Sequence, residues 1–389
     1  MEDFYGFSFT TIELVAAGIL LLAFSHQLYY YFRYLNGVLH YKQQVRKGKV
    51  QFATGQPPVS VIICAKDEAE NLRKFLPFIL EQDYPDFEVI VINDSSTDDT
   101  DILLNDLSVL YSNLRTTFVP VGANNLSTKK LGLTLGIKAA KNDILLFTDA
   151  DCKPEGKNWI ARMVRNFNPE TDFVLGYGAY MNKKGLLNRM ITYDTLFIAL
   201  QYMGMALARK PYMGVGRNMA YRKEIFFSQK GFASILHLSA GDDDLMVNKA
   251  STARNTRVEI EPGSITWSEP NETFRGWFFQ KERHLSVSSF YKGSSKFRLM
   301  TEPVSRGLFY ASSIIGFIFG NLITCIFAAL LLVTRFAVQH SIINRSSKHF
   351  GGRKYFFVLP FLDIFLPLAC LYILTFGRLS SKRKNIRWK

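Results

Sequence analysis

The segment Asn142 to Cys152 carries a short apolar run, Ile144 to Phe147, that ends in Thr148, Asp149, Ala150 and Asp151. Two carboxylates one residue apart at the end of a buried strand form a small anionic pocket. A hard divalent cation such as Mg2+ or Mn2+, which keeps water and substrate phosphate among its ligands, takes one or two protein carboxylates from such a pocket. Asp149 and Asp151 are therefore candidate ligands for a divalent cation and, through it, for a nucleoside diphosphate. Because Asp-x-Asp also falls by chance on surface turns, the neighbouring acids decide between the two readings.

A second acidic element is Gly241-Asp242-Asp243-Asp244-Leu245. Three adjacent carboxylates repel one another, which raises at least one pKa unless a cation or hydrogen bonds relieve them; such strain is common at functional sites. The alternative is a solvated acidic helix start. Downstream, Thr273 to Tyr291 is aromatic, basic and helical in pattern, with Gln280 and Arg283 on one helix face. The same stretch fits a helix lying on a membrane surface. Gly214-Val215-Gly216-Arg217-Asn218 is either a loop where backbone approaches a ligand or an ordinary turn.

The elements that must position these residues alternate regularly. Val59 to Ala65 is too continuously apolar for a half-exposed strand and reads as a buried one. Glu68 to Gln82 has helical spacing and stops at Asp83-Tyr84-Pro85. Strand Glu88 to Asn93, helix Asp98 to Leu110, strand Thr116 to Val121, helix Lys130 to Ala140 and strand Ile144 to Thr148 follow. This order predicts an α/β fold with a mainly parallel sheet and helices on both faces, whose ligands bind beyond the carboxyl ends of the strands. Asp67 and Glu68 follow the first strand, Asp94 the second, and Asp149 with Asp151 the fourth, so all of these acids fall on one edge. A nucleotide held there would have its base and ribose hydroxyls met by Asp67 and Asp94. The alternative for Asp94, within Asn93-Asp94-Ser95-Ser96-Thr97-Asp98, is a helix N-cap region. No G-x-G-x-x-G follows the first strand and no Walker loop occurs.

Beyond Asp151 the pattern loosens. Phe173 to Tyr177 fits a strand, and Leu186 to Ala208 is long and apolar, yet Asn188, Arg189, Asp194 and Gln201 make it a better buried or interfacial helix than a membrane span. Hydrophobic residues make up 48% of the 389 and are concentrated at the two ends. Thr11 to Phe32 is almost wholly apolar, long enough for a hydrocarbon core of about 30 Å, and has neither a basic n-region nor a small-residue cleavage site. It reads as a retained anchor; Leu308 to Val333 and Phe356 to Phe376 are further candidate spans. The net charge of +14 excludes little by itself, but the basic residues gather beside the apolar segments, at Lys42 to Lys49, Arg345 to Lys354 and Arg378 to Lys389. That placement fits anionic lipid rather than nucleic acid. If each span crosses once, the basic loop Arg335 to Lys354 falls outside, against the positive-inside trend. The cysteines, Cys64, Cys152, Cys325 and Cys370, form neither a CxxC nor a disulfide framework.

Assembled in this order, the motifs resemble those of a family 2 glycosyltransferase with the GT-A fold, a Rossmann-like α/β domain, over roughly Pro58 to Tyr291. Ala65-Lys66-Asp67-Glu68-Ala69-Glu70-Asn71 resembles the first-strand motif and Asn93 to Asp98 the D-D-G-S-T-D loop, which implies that Asp94 meets the uracil or ribose. Lys129 matches the family's lysine, with Thr134 where an asparagine is usual. Asp149-Ala150-Asp151 matches the D-x-D motif, which implies Asp151 as the principal metal ligand. Asp242-Asp243 resembles the E-D pair, whose second acid is the catalytic base; Asp244 follows directly, so a register shifted by one residue is the alternative. Gln280-Lys281-Glu282-Arg283-His284 is similar to Q-x-x-R-W, with His284 replacing the tryptophan that borders the acceptor site in polymerising members, which favours a single addition.

The resemblance implies displacement at the anomeric carbon of a UDP-sugar or similar donor with inversion, Asp243 acting as base and Arg283, with Gln280 of the same motif, at the departing diphosphate. Asp67, Glu68, Asp94, Lys129, Asp149 and Asp242 are the expected donor-binding residues, and a lipid or lipid-linked acceptor at the bilayer is the expected partner. The expected organisation is an anchor over 1–34, a juxtamembrane linker over 35–57, the transferase domain over 58–300 and a C-terminal membrane region over 301–389. The catalytic unit would face the cytosol, where sugar nucleotides are found in bacteria. Rival readings are a polyprenyl-phosphate glycosyltransferase, against which the long segment Leu186 to Tyr291 counts, and a non-enzymatic nucleotide-sensing membrane component, for which the spans supply few charges.

Overall fold

The computed structural model describes residues 3, 4, 7–120 and 128–377. Its centre is a seven-stranded sheet built from β1 (Val59–Ala65), β2 (Phe87–Asn93), β3 (Leu114–Phe118), β4 (Ile144–Phe147), β6 (Phe173–Leu175), β8 (Met219–Arg222) and β9 (Thr256–Val258), in the order β9-β6-β8-β4-β1-β2-β3. The first four run parallel, as the alternation requires. β8 enters antiparallel between β4 and β6. All seven residues of β1 are buried because helices cover both faces. Val59, Val61 and Ile63 pack toward Leu72, Leu76 and Ile79, whereas Ile62 and Cys64 pack toward Leu133 and Ile137.

Around this sheet the helices expected from the sequence form close to their limits as α3 (Ala69–Leu80), α4 (Thr100–Leu110), α5 (Thr128–Ala139), α7 (Leu186–Leu207) and α10 (Phe274–Val287), and the short α6 (Trp159–Val164), α8 (Lys223–Ser228) and α9 (Asp244–Ala250) join them. α7 is the interior helix that its polar residues argued for, with Tyr193, Leu200, Tyr202 and Met203 buried. The strand expected to reach Val121 ends at Phe118, and residues 121–127 lie outside the description. A small second sheet, β5 (Cys152–Pro154), β10 (Thr266–Ser268) and β7 (Gly178–Tyr180), was not legible because three-residue strands carry no periodicity.

At the N-terminus α1 (Thr11–Tyr30) continues through a π-helical turn, Tyr31–Leu35, into α2 (Gly37–Arg46). The first part of the expected linker over 35–57 is thus helix, through Arg46. Tyr31, Leu35 and Val38 share one buried core with Ile62 of the sheet. Helix meets helix at backbone distance there: a Cβ on Gly37 would stand 3.2 Å from Gly204 Cα, and one on Gly204 would overlap the Tyr34 carbonyl.

The C-terminal region is α11 (Gly293–Phe319), α12 (Leu322–His349) and α13 (Leu359–Tyr372). The expected division at residues 300 and 301 falls inside α11. The expected span Leu308 to Val333 is corrected: the chain turns at Gly320 and Asn321, where the Asn321 side chain accepts from Thr324 N at 3.0 Å and caps α12. A hydropathy average cannot register a two-residue turn between two apolar helices. Glu13 reaches this turn, accepting from Asn321 N at 2.6 Å. Among the described residues, three helices are long and apolar enough to cross a membrane, Thr11–Arg46, Leu322–His349 and Leu359–Phe376. The basic tail Arg378 to Lys389 lies outside the described residues.

Charges are more numerous inside this bundle than the spans suggested. Asp363 pairs with Arg335 at 2.8 Å and Arg306 at 3.0 Å, Arg306 pairs with Glu302, and Gln27 and Gln339 complete the network. Removed from water, such groups hold only because each meets a partner of opposite charge or a hydrogen bond.

Candidate active site

Asp149 and Asp151 leave β4 at the sheet's carboxyl edge. Their carboxylate oxygens and the Cys152 sulfur lie within 4.8 Å of one another. Burial, and then the Asp149 charge, push the Asp151 carboxyl above its ordinary range, a like-charge strain that a cation relieves. The Cys152 thiol donates to Asp151 Oδ1 at 3.4 Å. Burial and the adjacent acids hold that thiol protonated, which leaves two hard oxygens as the donor set, suited to Mg2+ or Mn2+.

Lys129, at the start of α5, joins this pair to the acidic triplet: its Nζ is 3.2 Å from Asp149 Oδ1 and 3.7 Å from Asp242 Oδ2. Burial works to discharge the ammonium, but Asp149, Asp242 and Asp243 outweigh it and raise its pKa. The triplet is set by its neighbours one residue at a time. For Asp242, burial is outweighed by Lys129 and Lys130, and its pKa is lowered. For Asp243, burial and the Asp242 charge win, and its pKa is raised. Its Oδ2 accepts from Gly216 N at 2.7 Å and its Oδ1 from Asp244 N at 2.8 Å, so it also caps α9. Asp244 points away into the core, where Tyr291 donates to it at 2.6 Å; burial and Asp243 push it up to about 8. Thus one acid is clamped to a lysine, one faces the site with raised basicity, and one is interior.

Cys64, at the end of β1, lies within electrostatic reach of Lys129, Asp94, Asp242 and Asp149, which gathers these residues around one point. Asp94 is fully buried, its amide donating to Ala65 O at 2.8 Å; Asp99, not Asp94, is the N-cap of α4. Asp67 has a positive φ of 52° and accepts from Thr97 N at 2.7 Å, locking the two strand-end loops together. Glu68 accepts from Asn71 at 2.6 Å and is raised by burial, with Asp151 and Asp149 adding to the effect. On α10, Arg283 is close enough to Asp242 to help keep it ionised. Gln280 uses its amide on structure: it donates to Tyr180 Oη at 2.8 Å and accepts from Asn271 at 2.9 Å. His284 stands exposed on the same helix.

Sequence reasoning missed three participants. Buried Lys130 donates to Leu238 O at 2.6 Å and Ala240 O at 2.9 Å, fixing the chain that leads into the triplet. Cys152 and Arg217 both lie beside Asp151. A hint for Arg217 existed in its glycine-containing loop, but nothing local says which acid a loop 66 residues on will meet.

This sheet, with its acids at one edge and one reversed strand, has the GT-A architecture. Residues 60–227 match the model of Glycosyl transferase family 2, and the chain carries a domain of that family. A probable glycosyltransferase, YdaM of Bacillus subtilis, is 27% identical over 270 residues, 66% of this chain and 61% of that protein. A poly-beta-1,6-N-acetyl-D-glucosamine synthase of Staphylococcus epidermidis is 24% identical over 229 residues, 58% of this chain and 53% of that one. The chain thus spans less than two thirds of either relative's length. Among solved structures, a mannosyltransferase from Pyrobaculum calidifontis in complex with GDP-Man and Mn2+ matches with a TM-score of 0.59 at 19% identity, over 93% of this chain and 99% of that one, and shares the fold.

Proposed function

We propose that the protein is a membrane-associated inverting glycosyltransferase that moves a sugar from a nucleotide-sugar donor to a lipid or lipid-linked acceptor, with its catalytic domain on the cytoplasmic side. The observation that carries this reading is the Lys129 ammonium lying between Asp149 and Asp242, which unites the strand-end acids and the triplet in one site. The acceptor oxygen attacks the anomeric carbon, the bond from that carbon to the diphosphate oxygen breaks, and its electron pair departs with the nucleoside diphosphate. Asp243, with its raised pKa, takes the proton of the acceptor hydroxyl. Lys129 and Arg283 face the anionic leaving group, while Asp67 and Asp94 line the nucleoside end. A divalent cation held by Asp149 and Asp151 would neutralise charge on the diphosphate. Support for a nucleotide sugar comes from the Pyrobaculum enzyme, which is in complex with GDP-Man and Mn2+; a UDP-sugar fits the motifs equally. Support for the membrane comes from three long apolar helices.

The test is a panel of UDP- and GDP-sugars offered to the purified chain in lipid membranes, reading release of nucleoside diphosphate with Mn2+ and with EDTA. Metal-dependent release from one donor is expected. No release from any donor, together with no UDP or GDP binding, overturns the reading.

A further inference from the structure

Arg217 has a place in the site that no motif assigns. It sits between the residue that binds Asp243 and one of the most firmly fixed residues in the domain. On one side, Gly216 N donates to Asp243. On the other, fully buried Asn218 accepts from Trp159 Nε1 at 3.0 Å and donates to Tyr177 O at 2.9 Å and Ser264 O at 2.7 Å. The Arg217 carbonyl accepts from Thr266 Oγ1 at 2.9 Å. Gly178 leaves room for the side chain: a Cβ there would stand 3.0 Å from Arg217 Cβ. Backbone and stem are therefore preset before any ligand arrives.

The guanidinium is less well served. Its carbon lies 4.2 Å from the Tyr180 ring centroid, and Nη1 reaches Ser268 Oγ at 3.4 Å. Among the described residues it makes no direct ion pair. The chain of contacts continues from Ser268 Oγ to Cys152 Sγ at 3.0 Å and from there to Asp151 Oδ1 at 3.4 Å, so the guanidinium flanks the proposed cation site. An arginine has five N–H donors in a planar fork, and among the described residues this half-buried one spends a single donor, on Ser268, which leaves the rest of the fork for an anion. Asp149 and Asp151 now supply the nearby negative charge. Once their charge is met by a divalent cation, the guanidinium faces the site as excess positive charge with donors matched to phosphate oxygens.

We infer that Arg217 is a second anchor for the diphosphate of the nucleotide donor, one that grips it directly once the divalent cation has met the charge of Asp149 and Asp151. The inference rests on the nucleotide-sugar reading above and names a specificity residue within that site.

The test measures binding of UDP against uridine, and of GDP against guanosine, to the full chain in detergent, with Mn2+ and with EDTA. In wild type the diphosphate should be preferred with Mn2+, and EDTA should reduce that preference. Arg217→Gln should weaken diphosphate binding with Mn2+ about 10- to 100-fold, the size of a hydrogen bond to a charged group, and leave the nucleoside unchanged. Arg217→Lys keeps the stem and the charge but not the fork; it should fall between the two and decides the matter if the glutamine variant does not fold. A merely structural arginine would weaken nucleoside and diphosphate together. An unchanged ratio in the variants overturns the assignment of Arg217. Absence of binding of either diphosphate to wild type overturns the donor reading itself.

Discussion

The amide of Gly216 donates to the Asp243 carboxylate at 2.7 Å, and this single bond joins the loop beside the metal-site acids to the start of α9. It orients the acid without neutralising it. Asp243→Asn should keep fold and donor affinity and lose about 10²- to 10⁴-fold in transfer rate, the range for a missing general base. Asparagine variants at Asp242 and Asp244, measured for UDP affinity and sugar transfer in parallel, fix the register. Wild-type rate in Asp243→Asn, or a defect accounted for by weaker donor binding, would remove Asp243 from the role of base.

Asp151→Asn should abolish turnover and the metal-dependent part of nucleotide binding. Titration of UDP and GDP calorimetrically with and without Mn2+ checks this. Retained metal dependence in the variant would place the cation elsewhere.

Stability should depend on pH through Asp244. Its pKa in the folded chain is about 8, above an unfolded value near 4, so the folded state holds the extra proton in that window. The contribution is complete below about pH 4 and is lost as pH rises through about 8. Apparent unfolding temperatures of wild type in detergent should therefore fall more steeply between pH 5 and pH 8.5 than those of Asp244→Asn. Parallel curves for the two proteins would contradict this.

Removing residues 1–48 should destabilise the catalytic domain, since Tyr31, Leu35 and Val38 belong to its core. Gly204→Ala tests the same contact by one methyl group, which would overlap the Tyr34 carbonyl. Overpacking of this kind costs about 1–3 kcal/mol or more. A truncated chain with an unfolding temperature equal to that of wild type would show the first helices to be separable.

The parallel half of the sheet was legible because continuous apolar runs and 3.6-residue periodicity report burial directly, as in Val59 to Ala65 and Leu72 to Leu80. The edge of the sheet that carries Asp67, Asp94 and Asp149 followed from connection rules alone. What stayed hidden depends on contacts distant in sequence: the packing of residues 31–46 on α7, the turn at Gly320, and the meeting of Arg217 with Asp151. Gln280 illustrates the other limit, since its motif was visible while its partners, Tyr180 and Asn271, were not.

The turn at Gly320 and Asn321 changes the parity of the chain's path. α11 travels outward to Glu13, and α12 travels back until His349 pairs with Ile260 O at 2.9 Å and Arg353 binds Asn188 at 2.6 Å, both on the catalytic domain. The outward and return legs cancel, so the loop from Arg345 to Lys354 ends on the same side as the sheet and as Lys42 to Lys49. A bilayer that accepts the far half of this bundle would meet a positive collar at the catalytic face, and with that face toward the cytosol, as proposed above, the collar would agree with positive-inside counting.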